Sequence, residues 1–163
     1  MMSQPWRVEL LGGFSLARSG EHITHFRTRK VASLIAFLVL HPQRHSRDAL
    51  TDSFWPDADF EAARASLRVA LSHIRKTLGT DFLDTTRDTV GISAAFTCDV
   101  TDFVRAVSAK RWTDAAQLYR GELLPGFWDD WIVAERERLE ASFEIVRQKT
   151  DAIEPVPYVS FQE

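Results

Sequence analysis

The sequence predicts an α+β unit followed by a short all-α segment. Three observations carry that prediction. Hydropathy alternates with period two over residues 6–24 and again over 82–92. Between these stretches, and from residue 99 onward, it repeats at helical spacing. The breakers Gly12-Gly13, Pro42, Pro56, Gly79 and Pro125-Gly126 fall where one pattern gives way to the next.

The size and composition bound what such a chain can be. Its 163 residues allow one domain or two small ones with a real core. The 45% hydrophobic and 26% charged residues are those of a soluble globular protein rather than a disordered or fibrous one. A single cysteine, Cys98, excludes a disulfide framework and a thiolate zinc site. Apolar runs are broken within about ten residues, so no spanning helix and no membrane partner are expected. Met1 to Leu11 has no apolar signal core, which points to the cytoplasm.

The elements follow in order. Trp6 to Leu11 and Phe14 to Ala17 read as two strands across Gly12-Gly13, and His22 to Thr24 as a third. From Thr28, a good N-cap, Val31, Leu34, Ile35, Leu38 and Val39 mark a helix that Pro42 ends near His41. Ser46 caps a second, short helix carrying Ala49, Leu50, Phe54 and Trp55, which Pro56 stops. Asp59 then caps a third, about Phe60 to Leu78. At ~100° per residue, Ala63, Leu67, Ala70, Leu71, Ile74 and Leu78 share its core face. Its opposite face and flanks hold Ala65, Arg68, Val69, Ser72, His73, Arg75 and Lys76. Gly79 suits the C′ position. Phe82 to Thr85 and Thr89 to Ile92 flank a polar turn with Arg87 at its tip, a second hairpin. Hairpin, three helices and hairpin are the plan of a winged helix-turn-helix.

The rest reads as helices. Val100, Phe103, Val104 and Val107 form a stripe with Thr101 or Asp102 as its cap. Trp112, Ala115, Ala116, Leu118 and Tyr119 mark the next helix. Trp131 to about Lys149 forms the longest, with Ile132, Leu139, Phe143 and Val146 inward and Arg136 paired with Glu140 on its polar face. Glu154 to Tyr158 contains two prolines and is a tail. The division is therefore 1–97, 98–152 and a tail over 153–163. Trp6 and Trp55 are expected in the core, and Trp128 and Trp131 at the seal between the halves.

Net charge sharpens this division. The total of −3 argues against nucleic acid until it is split along the chain. Residues 27–78 hold nine Lys/Arg against five Asp/Glu, whereas 99–163 hold eight against thirteen. A basic middle precedes an acidic C-terminal part, and nucleic acid responds to the local field. Solvated faces of an ordinary globular protein would give the same split.

Four blocks carry a resemblance to a known family. They are Trp6-Arg7-Val8-Glu9-Leu10-Leu11-Gly12 with Phe14, Arg29-Lys30 with Leu34 to Pro42, Ser46 to Leu50 with Phe54-Trp55-Pro56-Asp57, and Ala62 to Arg68 with Ala70-Leu71-Ser72 and Ile74-Arg75-Lys76. Together they resemble the SARP-type bacterial transcriptional regulators, whose DNA-binding domain is an OmpR-type winged helix. Leu118 to Gly126 with Asp130-Trp131 resembles the start of their bacterial transcriptional activation domain. The likeness covers about residues 6–145. The family's activation domain is a longer array of tetratricopeptide-like helix pairs, so a shortened version is expected here. Because the pattern begins at Trp6, no receiver domain is expected to switch it.

The resemblance implies sequence-specific binding of double-stranded DNA and activation of transcription, with the third helix in the major groove. Helical face and resemblance agree on Arg68, Ser72, Arg75 and Lys76 as base-reading candidates. Arg64, Ser66, Thr28, Arg29, Lys30, Ser46 and Arg47 are the candidates for phosphate or flanking contacts, several of them near helix N-termini. Arg87 and Thr89 belong to the wing, where Arg87 either probes the minor groove or is a solvated turn charge. RNA polymerase and a second copy on repeated half-sites are the implied partners. No cofactor is expected. Enzyme readings are weak: Pro42 lies between His41 and His45, His22, His25 and His73 bring no carboxylate motif, and adjacent Asp129 and Asp130 point apart. The alternative is a non-enzymatic protein-interaction module that modulates a longer regulator.

Overall fold

A computed structural model describes residues 4–152. The expected tail over 153–163 lies outside the described residues. Strands β1 (Trp6–Glu9), β2 (Ser15–Arg18) and β3 (Glu21–Ile23) form an antiparallel meander, with Val8 opposite Leu16 and Leu16 opposite Ile23. Trp6 and Val8 point to the core while Arg7 and Glu9 alternate outward, the period-two rule in its simplest form.

Helix α1 (Arg29–Leu40) begins at Thr28, whose hydroxyl accepts from the Val31 amide at 3.2 Å. A two-residue strand, β4 (His45–Ser46), follows, and the Ser46 hydroxyl caps α2 (Arg47–Phe54) by accepting from the Ala49 amide at 3.0 Å. Asp59 does the same for α3 (Phe60–Leu78) through the Ala62 amide at 2.8 Å. Gly79 ends α3 at φ +99°, a conformation that glycine adopts without steric cost. Strands β5 (Leu83–Thr85) and β6 (Thr89–Ile92) make the second hairpin, and β4 pairs with β6 to complete a three-stranded sheet.

Two strands were not expected, the two-residue β4 and one that joins the first sheet. β7 (Phe96–Cys98) pairs parallel to β1 on the side away from β2, giving the order β3-β2-β1-β7. Three residues carry too little alternation to announce a strand, and its partner lies 90 residues earlier.

Beyond β7 the chain is helical: α4 (Asp99–Ser108), α5 (Trp112–Leu118) and α6 (Asp130–Ala152), each packed on the next. A single hydrophobic cluster runs from Trp6, Leu34, Ile35, Leu71 and Phe82 through Phe103 and Leu123 to Ile132, Leu139 and Val146. Two links join the segment after β1 to the segment after α5. The Leu124 amide donates to Leu10 O at 2.9 Å, and the Gly12 amide donates to Glu122 O at 2.8 Å. Here the backbones cross so closely that a Cβ on Gly121 would sit 2.9 Å from Gly12 Cα.

Four sequence readings need correction. Helix α4 starts at Asp99, so neither Thr101 nor Asp102 caps it. The Asp99 carboxylate is 1% exposed and instead accepts from the Leu10 amide at 2.9 and 3.1 Å and the Leu11 amide at 3.0 Å. Arg136 is not on a polar face but is 6% exposed, donating to the carbonyls of Leu123, Leu124 and Phe127 at 2.7–2.9 Å. Trp131 does sit at the seam, edge-on to Phe37 at 5.5 Å and donating to Ser33, but Trp128 is 75% exposed. Trp55 is half-buried, with the Lys30 ammonium 6.0 Å from its ring.

Candidate nucleic-acid interface

Helix α3 is amphipathic, and its core face is the expected one: Ala63, Leu67, Ala70, Leu71, Ile74 and Leu78 are all buried. Turning that face inward leaves Arg68, Ser72 and Lys76 exposed on the far side. Among the described residues these three side chains make no hydrogen bond or ion pair with the rest of the protein. Their donors are therefore available to an outside acceptor.

The remaining arginines of the region are already engaged. Arg75 is half-buried and donates to the Thr85 hydroxyl, which ties the last turns of α3 to the hairpin. Arg64 pairs with Asp48 at 2.9 Å and lies over the Phe60 ring. Arg47 donates from Nε to Thr86 O at 3.0 Å, and its amide donates to Asp88 O at 2.8 Å. Burial, then the positive charges of Arg64, Arg75 and Arg68, hold the Arg47 pKa below the usual arginine value. A guanidinium stays charged at any ordinary pH, so Arg47 adds its own charge to those of Arg64, Arg68 and Arg75 nearby.

The other candidates are dispersed. Thr28 and Ser46 use their hydroxyls as caps. Ser66 is half-buried on the side of α3 that faces the start of α1. Lys30 Nζ donates to Phe54 O at 2.7 Å. Arg29 turns the other way, donating to Gly126 O and lying 5.7 Å from the Phe127 ring centre. Arg87 is exposed at the hairpin tip and has no side-chain partner among the described residues. Thr89 is bonded within the turn to Thr86 at 2.8 Å.

Two cations here escaped the sequence reading. Arg44 brackets the hairpin, reaching Asp84 at 2.6 Å and Thr89 at 2.8 Å. Arg27 approaches His73 Nε2 at 3.5 Å beside the exposed face of α3. Both lie in loops, where periodicity says nothing. Their only signal was a cation one or two residues before an N-cap.

No group of three or more His, Cys, Asp or Glu side chains among the described residues is placed to hold a metal ion. His45 Nε2 lies 2.7 Å from the His41 carbonyl, so that pair is occupied with the backbone. Burial, aided by the Asp99 charge, pushes the Cys98 thiol up to about 12, far from a nucleophile's range. Among the described residues no helix is long and apolar enough to cross a membrane.

No protein-family model matches the chain, and no curated protein matches it by sequence. Among solved structures, Mycobacterium tuberculosis EmbR in complex with a low-affinity phosphopeptide is similar to 87% of this chain, with a TM-score of 0.65 at 22% identity. The match takes in 43% of that EmbR chain, so this chain spans less than half its length. At that identity the likeness is one of fold: a mixed α/β unit of small sheets and helices that EmbR shares.

Proposed function

We propose that this chain binds double-stranded DNA sequence-specifically and regulates transcription, acting as an activator of the SARP type. Helix α3 enters the major groove and the β5–β6 hairpin serves as the wing at the adjacent minor groove. The observation that carries this reading is the line Arg68, Ser72 and Lys76, exposed and without a partner among the described residues, on a helix whose other face is core. Unengaged cations on a rigid helix suit base edges and phosphates. Arg64, Arg47 and Arg75 hold the supporting elements and add to the field. In this reading residues 1–97 are the DNA-binding domain and 98–152 a shortened, tetratricopeptide-like activation domain. That acidic part faces RNA polymerase while two copies occupy repeated half-sites, in the cytoplasm and without a cofactor.

A salt titration of binding to a duplex tests the reading. Each neutralised phosphate contributes about −0.9 to the log–log slope. Arg68→Ala is expected to weaken binding to a selected site by about 1–3 kcal/mol and to relax its specificity at one position. No binding to any duplex at low salt, or a flat slope, sinks the proposal. The exposed Trp128 favours a second reading, a protein-interaction module. Protein capture that Trp128→Ala abolishes, with no shift of any duplex, would establish it.

A further inference from the structure

The exposed side of α3 is not uniformly polar. Val69 is 55% exposed, one of the few large apolar side chains left in solvent. At ~100° per residue it lies close to the middle of the outward face, nearer than Arg68, with Ala65, Ser72 and Lys76 around it. Beside it runs a shallow groove of about 370 Å3 between α3 and the start of α1, walled by Val31, Trp55, Ala65, Ala70 and His73. Lys30 is at its rim, and Arg27 lies against His73. An apolar floor edged by cations is poorly matched to water alone. It is matched to a surface that combines anionic edges with an apolar projection.

In a DNA major groove one group projects an apolar surface among hydrogen-bonding edges, the C5 methyl of thymine. Resting on the reading of α3 as the groove helix, we propose that Val69 determines specificity by seating a thymine methyl against its isopropyl group and the adjoining apolar groove. Arg68 and Ser72 then read polar edges of neighbouring pairs. Ala65, one turn earlier, is too short to reach as far as Val69, and its smallness lets the base pair approach.

The test uses the full chain and the duplex site recovered from random sequence. Each thymine of that site is replaced in turn by deoxyuridine, which removes one methyl and leaves every hydrogen-bonding edge intact. Wild type is expected to lose about fourfold in affinity at one position per half-site, the weight of one buried methyl-sized group. Val69→Ala is expected to bind the thymine site more weakly and to show no loss at that position. Val69 is solvent-exposed, so a thermal melt of V69A should match wild type. Uniform indifference of wild type to deoxyuridine overturns the proposal. So does a V69A protein that stays as sensitive as wild type, which would assign the methyl to Ala65 instead. Failure to bind any duplex at low salt overturns the DNA reading itself, an outcome distinct from a flat deoxyuridine scan.

Discussion

Asp99 and Arg136 are charged side chains that do backbone work. Asp99 accepts from two successive amides of the chain that leaves β1, and Arg136 supplies donors to three carbonyls of the 123–127 segment. Buried amides without acceptors cost about 1–3 kcal/mol each, so Asp99→Ala should destabilise the fold by about 2–4 kcal/mol. Asp99→Asn retains an acceptor oxygen and should lose less; urea denaturation reads both, and equal midpoints for wild type and D99A refute the role. Neither residue was legible in the sequence. A periodic pattern reports neighbours a few residues away, whereas Asp99 answers to Leu10 and Leu11, and Arg136 to carbonyls in a turn without period. Charge alone predicts a polar face for Arg136, until unpaired backbone carbonyls demand a donor. The core face of α3 was legible in full, since its contacts follow from helical spacing alone, whereas the engagement of Arg75 with Thr85 was not.

Elements are joined by a few specific devices rather than by general packing. Arg75, Arg47 and Arg44 each tie the β5–β6 hairpin to its neighbours, so its position relative to α3 is set by side chains from three places. Helices and strands with strong local signals were legible: each cap at Thr28, Ser46 and Asp59 is where composition put it. β4 and β7 were not, because a strand of two or three residues is defined by its partner. The tightest device is the crossing of Gly12 and Gly121. Gly12 also has φ +85°, so it is constrained in both space and conformation. Gly121→Ala would drive its Cβ into the Gly12 backbone and should cost about 1–3 kcal/mol. Gly13, with open space around its Cβ position, is the control: Gly13→Ala should change the melting temperature far less. Similar losses at both positions would argue against the crossing as a constraint.

The whole molecule shares one core, and its seam carries a titratable group. His41 packs on Phe37 at 4.7 Å and on Trp131 at 6.5 Å, where α1 meets α6. Burial lowers its pKa from the ordinary 6.5, with His45 and Arg138 acting in the same direction and Glu135 opposing. The neutral ring is the form the fold prefers. Its contribution is therefore complete above the unfolded value of 6.5 and declines as pH falls through the lowered folded value. His41→Gln should flatten the fall of melting temperature between about pH 7 and pH 5, and an unchanged acid limb would show that His41 is not responsible. The charge split along the chain was legible at this scale, but the seam was legible only as far as Trp131. The order in which the chain is made gives the closure at Leu10 and Leu11 a further meaning. β1 leaves the ribosome well before its neighbour β7, the Asp99 acceptor and the Leu123–Leu124 segment, which arrive roughly a hundred residues later. At about 5–20 residues per second, Trp6, Val8 and Leu10 wait on the order of ten seconds for their partners. During synthesis β1 therefore stays exposed and sticky until those partners emerge, and nascent-chain holdases should engage it in that interval.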